Sequence, residues 1–209
     1  MLRNWRRTSP ASFNGSVRGE EQLLVQENML YCLALMQHHG APTRLLDATY
    51  SPFVAAQTAL RDGLNPKRVP VIWCFNADWM EKHCARILGQ IERNARFNAL
   101  RNRTPPPLLV MHENPDFLNL RLTAHQGVFL CAGNLSEPFD ENLKAMIGWN
   151  SRDNVRKLHL CFERANWLNA VKTLKRMNVS STVLFPGLDG FARSLGEELP
   201  QYDEIYGGD

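Results

Sequence analysis

Hydrophobic and polar positions divide the chain into short periodic segments separated by Gly- and Pro-bearing turns. Between residues 20 and 37, Leu23, Leu24, Met29, Leu30, Leu33, Ala34 and Met36 recur near a 3.6-residue period, with Glu20, Glu21, Glu27 and Asn28 on the other side. This predicts an amphipathic helix that Gly40 can end. Ser51 followed by Pro52 reads as an N-cap and a first-turn proline, so a second helix is expected to Leu60, where Asp62-Gly63 and Asn65-Pro66 break it. Val69 to Phe75 is apolar and β-prone, a buried strand. Residues 76 to 100 read as one helix, stopped by the Thr-Pro-Pro-Pro run at 104 to 107. Short strands are expected at 108 to 111, 118 to 122, 128 to 131, 157 to 162 and 183 to 185, with mixed structure from 139 to 149. Trp167, Leu168, Val171, Leu174 and Met177 form one stripe of a helix over 165 to 177, and a last helix is expected over 188 to 195.

Few strands of modest length among many helices imply an α+β fold, a single mixed domain over 1–209 with a small central sheet flanked by helices. Residues 1 to 18 form a basic N-terminal segment, and residues 200 to 209 an acidic tail expected to be loose. Composition changes this picture little. Apolar content of 44%, charged content of 22% and a net charge of +3 are ordinary for a globular chain and demand no nucleic-acid partner. No run approaches the roughly 20 apolar residues of a membrane span. No apolar core follows the basic start, as a signal peptide would require. The five cysteines form no Cys-x-x-Cys pair, which suggests buried, reduced thiols and a cytoplasmic location.

The chemistry concentrates in residues 37 to 52. Gln37, His38, His39, Thr43, Arg44, Asp47 and Ser51 lie there, with Gly40 and Pro42 fixing the backbone. A metal site from these histidines is disfavoured, because neighbours on a helix point about 100° apart and no zinc-type spacing is present. Ser51 precedes a proline and reads as a cap before a nucleophile. A purely structural reading pairs Arg44 with Asp47 and lets Gln37 and His38 satisfy loop carbonyls.

The string QHHGAPTRLLDATYSPFVA at 37 to 55 resembles the signature of the FRG domain, a bacterial family named for a Phe-Arg-Gly motif near its N-terminus. Arg121 with AHQGVF at 124 to 129, and LFPGLDGFARSL at 184 to 195, fit the same family. The Phe-Arg-Gly motif itself is missing. Val17-Arg18-Gly19 lies too close to Gln37 for the family spacing, so the chain is expected to begin downstream of the motif.

In outline the pattern is also similar to ADP-ribosyltransferases, which place a Ser-Thr-Ser-like turn before an Ala-rich helix and a strand, then a late Glu or Gln. Here Thr49-Tyr50-Ser51, Ala55, Ala56 and Ala59, the strand from Val69 and Gln126 occupy those places. The resemblance implies a site for a nucleotide such as NAD, which would be substrate, with no tightly bound cofactor and no metal. Arg44 and Gln126 would hold catalytic positions. Gln37, His38, His39, Thr43, Thr49, Ser51, Arg121 and Gly127 would line the cleft, the two arginines gripping phosphate through planar forks. A Gln at 126 can orient a ribose but takes no proton. The function expected is nucleotide binding, with ADP-ribose transfer or NAD cleavage by a toxin or defence effector acting on a nucleic-acid or protein acceptor. The alternative is a non-catalytic module that binds nucleic acid or protein.

Overall fold

The computed structural model describes residues 29–61, 69–114, 120–185, 187–188, 190–192 and 194–195. The first part of the helix expected over 20 to 37, the basic segment and the acidic tail lie outside these residues. The elements are α1 Met29–His38, β1 Leu45–Thr49, α2 Pro52–Leu60, β2 Val71–Phe75, α3 Ala77–Leu88, α4 Arg93–Arg101, β3 Val110–Glu113, α5 Leu120–Ala124, β4 Gly127–Ala132, α6 Phe139–Lys144, β5 Val155–His159, α7 Arg164–Arg176 and α8 Ser181–Leu184. Strands run β1-β4-β3 in one sheet and β2-β5 in another, an α+β arrangement. The chain divides into two compact units: Met1–Asp47, Phe75–Phe117 and Val128–Val155 form the first, and Ala48–Cys74, Leu118–Gly127 and Arg156–Asp209 the second.

In the first unit, α3 begins where the Asn76 side chain accepts the Trp79 N–H (3.1 Å), with Asp78 in the first turn. It ends at Gly89, whose φ of +90° is cheap for glycine alone. Met80, His83, Cys84 and Leu88 form its buried face, which packs on β3. All four residues of β3 are buried, and the strand pairs antiparallel with β4, from Val110 opposite Ala132 to Glu113 opposite Phe129. Burying Met80, Val110 and Met111 completely contributes about 1.5–3 kcal/mol each. Asn142, also fully buried, satisfies a loop: its Oδ1 accepts the Asn134 N–H (2.9 Å), and its amide donates to the carbonyls of Asn134 (2.8 Å) and Pro138 (3.0 Å). Arg96 of α4 lies inside the unit. It donates to Glu113 Oε1 (3.3 Å), to Glu81 Oε2 (2.9 Å) and to Glu81 Oε1.

In the second unit, α2 and α7 pack through Leu60, Trp167, Leu168 and Leu174. The Trp167 indole N–H donates to the Leu60 carbonyl (3.3 Å), giving a buried donor its acceptor. β2 and β5 form an antiparallel ribbon, continued at one end by a bond from Leu160 N–H to Pro70 O (2.9 Å). Leu160 then joins the α2–α7 core.

Several expectations are corrected. Residues 45 to 49 form a strand inside what reads as a polar loop. The helix expected over 76 to 100 is two helices, because Gly89 closes the first. Residues 120 to 124 are helical where the pattern suggests a strand over 118 to 122, and 181 to 184 are helical where 183 to 185 suggest a strand. Strands β3 and β5 sit about two residues from their expected places. Met177 caps α7 and is exposed instead of completing its apolar stripe. Among the cysteines, Cys32, Cys84 and Cys131 are buried, Cys74 is half-buried and Cys161 is exposed.

Candidate functional site

The polar signature begins at the end of α1. Ala41 N–H donates to Met36 O (2.9 Å) and Gly40 N–H to Gln37 O (3.0 Å), with Gly40 at φ +83°. This Schellman closure uses up the last helical carbonyls and turns the chain sharply. It leaves His38 and His39 exposed, their rings edge-on at 5.2 Å. The same turn folds Gln37 over the segment from Thr43 to Asp47. Its Nε2 donates to Asp47 Oδ1 (2.7 Å), and its Oε1 accepts from the Thr43 hydroxyl. Thr43 Oγ1 in turn accepts the Leu45 N–H (3.2 Å), which starts β1. Gln37, Thr43 and Asp47 thus brace one another.

Arg44 is engaged with the backbone. Its Nη2 donates to the carbonyls of Ala132 and Gly133, the latter at 3.1 Å, and its guanidinium lies 5.9 Å from the Phe97 ring centroid. Asp47, the partner that a structural reading gives it, is instead held by Gln37. A charged donor shared by two carbonyls stabilises by about 1.5–3 kcal/mol. Arg44→Ala is therefore expected to lower unfolding free energy by about 2 kcal/mol, measured by urea titration. A variant as stable as the parent would show that these bonds contribute nothing.

The second unit collects the remaining signature residues. Thr49 Oγ1 donates to His125 O (2.6 Å) and accepts the Ser51 N–H (2.9 Å). Tyr50 N–H donates to Gln126 O (3.1 Å). Ser51 is buried and caps α2, its Oγ accepting the Val54 N–H at 3.4 Å. His125 donates from Nε2 to Leu184 O (2.8 Å), which fixes its tautomer, and its ring meets Phe185 edge-on at 4.9 Å. Arg61 makes a further contact with that ring, 5.9 Å from the Phe185 centroid. Pieces of all three signature blocks, Thr49–Ser51, His125–Gln126 and Leu184–Phe185, are therefore bonded together. Gly127 comes next, in β4, where a Cβ would lie 2.9 Å from Leu122 Cδ2. Arg121 is in α5, and its side chain lies outside the described residues.

Gln126 is the unusual member. It has φ +46°, in the left-handed region that non-glycine residues seldom adopt, and its side chain is exposed. Its N–H is held by Thr123 O (3.1 Å) and its carbonyl by Tyr50. Tyr50 and Phe53, half exposed on either side of the Ser51 cap, are aromatic groups absent from the residues expected to line the cleft. The signal was available, since an aromatic between two hydroxyl residues before a helix has no core to enter.

Cysteine chemistry is not poised here. Burial pushes the Cys84 and Cys131 thiols up to about 11 and raises that of Cys32 as well, so all three stay protonated near neutral pH. Burial, with Arg86 beside it, lowers the pKa of His83 and keeps its ring neutral. No cluster of three or more His, Cys, Asp or Glu that could hold a metal occurs among the described residues.

Fold and contacts together define an α+β protein whose polar signature is built into a helix–strand–helix junction. The model of the FRG domain matches residues 2–68, about a third of the chain, which contain the first signature block. The blocks at 121 to 129 and 184 to 195 lie beyond the matched residues. No curated protein and no solved structure matches the chain. No helix among the described residues is long and apolar enough to cross a membrane.

Proposed function

We propose that this protein binds a nucleotide of the NAD type at the junction of β1 and α2, with Tyr50 and Gln126 as its contact groups. The observation that carries this reading is the conformation of Gln126. Two backbone bonds hold this exposed glutamine at φ +46°, just past the end of α5, and so fix where its amide stands. Such strain concentrates at binding and catalytic positions. Tyr50 offers a ring on which a base can stack, and the Gln126 amide offers both a donor and an acceptor to a ribose. Arg44 is left out of the contact groups because its guanidinium is committed to the Ala132 and Gly133 carbonyls. Gln37 and Thr43 are likewise committed to each other.

A glutamine orients a sugar but removes no proton. Transfer of ADP-ribose at this surface would break the bond from the ribose carbon to nicotinamide, which leaves with the electron pair. The acceptor or water that takes its place would need activation by another group. The likeness to ADP-ribosyltransferases supports this reading as analogy of pattern, and a toxin or defence role in a bacterial cytoplasm would suit it.

Calorimetric titration with NAD, with chromatography for released nicotinamide, tests the proposal. Saturable binding is expected, weakened about tenfold in Gln126→Ala, the effect of one lost hydrogen bond. Gln126→Gly should lose the same affinity at unchanged stability, because glycine adopts the left-handed conformation freely. Absence of binding at millimolar NAD would overturn the reading.

A further inference from the structure

The second unit carries a surface that the nucleotide reading does not use. Between residues 156 and 176 the sequence has six basic residues (Arg156, Lys157, Arg164, Lys172, Lys175 and Arg176) and one acidic residue, Glu163. The excess is +5, against +3 for the whole chain. Arg156, Lys157, Lys172, Lys175 and Arg176 are all exposed. The first two lie on β5, which is exposed along nearly its whole length. On the β2–β5 ribbon, Trp73 stands 47% exposed although Lys157 Nζ lies over its ring, 5.0 Å from the centroid. His159 and Leu158 of the same ribbon are also exposed. On α7 the basic positions 172, 175 and 176 fall on one flank of the helix, beside the buried stripe of Trp167, Leu168 and Leu174.

We infer that the β2–β5 ribbon binds single-stranded nucleic acid, with Trp73 as a stacking platform and Lys157 beside it as a phosphate contact. A large aromatic ring left half exposed on a strand, with a cation beside it, is the combination that tracks an unstacked base and its backbone. An apolar protein partner fits less well, because the Lys157 ammonium lies over the ring and a dry interface would have to desolvate it. The basic flank of α7 adds a positive field that draws a polyanion towards the unit. This inference does not rest on nucleotide binding at Tyr50 and Gln126.

Fluorescence anisotropy of the full chain with labelled oligouridylate, oligodeoxythymidylate and a duplex, across a sodium chloride series, tests it. Binding to both single strands is expected, tighter than to the duplex. The affinity should fall with salt at a log–log slope of about −0.7 for each phosphate contacted. Trp73→Leu should weaken binding about tenfold without changing that slope, the signature of lost stacking. Lys157→Gln should flatten the slope by about 0.7, the share of one phosphate contact. Circular dichroism melts confirm that each variant is folded; if Trp73→Leu fails to fold, the slope change in the lysine variant still decides the matter. No binding at low salt, equal affinity for duplex, equal affinity for polyglutamate in place of nucleic acid, or variants that bind like the parent would each overturn the assignment.

Discussion

Replacing Arg96 with alanine is expected to cost the first unit about 3–5 kcal/mol, the usual result of removing one partner from a buried ion pair. Arg96 is 5% exposed, and Glu113, which it faces across 3.3 Å, is fully buried in β3. Glu81 takes both guanidinium nitrogens and draws the cation's pKa upward. Without the arginine, the Glu113 carboxylate stays in an apolar interior beside the Cys84 and Cys131 thiols. A domain has roughly 5–15 kcal/mol in all, so the urea midpoint should fall by about a fifth or more. The double variant Arg96→Met with Glu113→Gln should recover most of the loss, because it removes the buried charge together with its partner. A single variant with an unmoved midpoint would show that this cluster carries no stability.

The second large effect is steric. A Cβ on Gly190 would lie 1.7 Å from the Phe185 carbonyl oxygen, 2.7 Å from its carbon and 2.9 Å from Ser181 O. All three atoms are backbone, so nothing can rotate aside. Gly190→Ala is expected to cost about 3 kcal/mol, the upper end for overpacking. It should also loosen Phe185, which packs on His125 and Arg61. Gly187→Ala is the comparison: φ is +110° there and the space is open, so only backbone strain of about 1–2 kcal/mol applies. Urea melts of the two variants that rank Gly187→Ala as the more damaging would show that the close approach at Gly190 is absent.

Local chemistry was legible in the sequence where a single residue decides it. Ser51 and Pro52 start α2, Gly40 ends α1, and the stripe from Trp167 to Leu174 packs α7. Gly89 could have been read the same way, since a glycine late in a helical pattern is the ordinary place to stop. β1 escaped because Leu45, Leu46, Asp47, Ala48 and Thr49 do not alternate, and its partner β4 lies about 80 residues away in sequence. The leucines near 120 alternate with polar residues and so suggest a strand, yet α5 has five residues, too few for a 3.6-residue period to register. In the candidate site, residue types were readable but commitments were not. Nothing local tells that Arg44 reaches the Ala132 and Gly133 carbonyls, or that Gln126 takes a left-handed backbone. Both arise from strand pairings that only the folded chain makes.

The interleaving of the two units sets a clock on the nascent chain. Residues 2–68, the stretch that the FRG model matches, contribute to both units and complete neither. Leu60, at the end of α2, finds its core in Trp167, whose indole bond to it spans 107 residues of sequence. At about 5–20 residues per second of synthesis, the apolar face of α2 is exposed for roughly 5–20 seconds before α7 leaves the ribosome. For that interval α2, which closes the signature segment, stays open to chaperones, proteases and self-association.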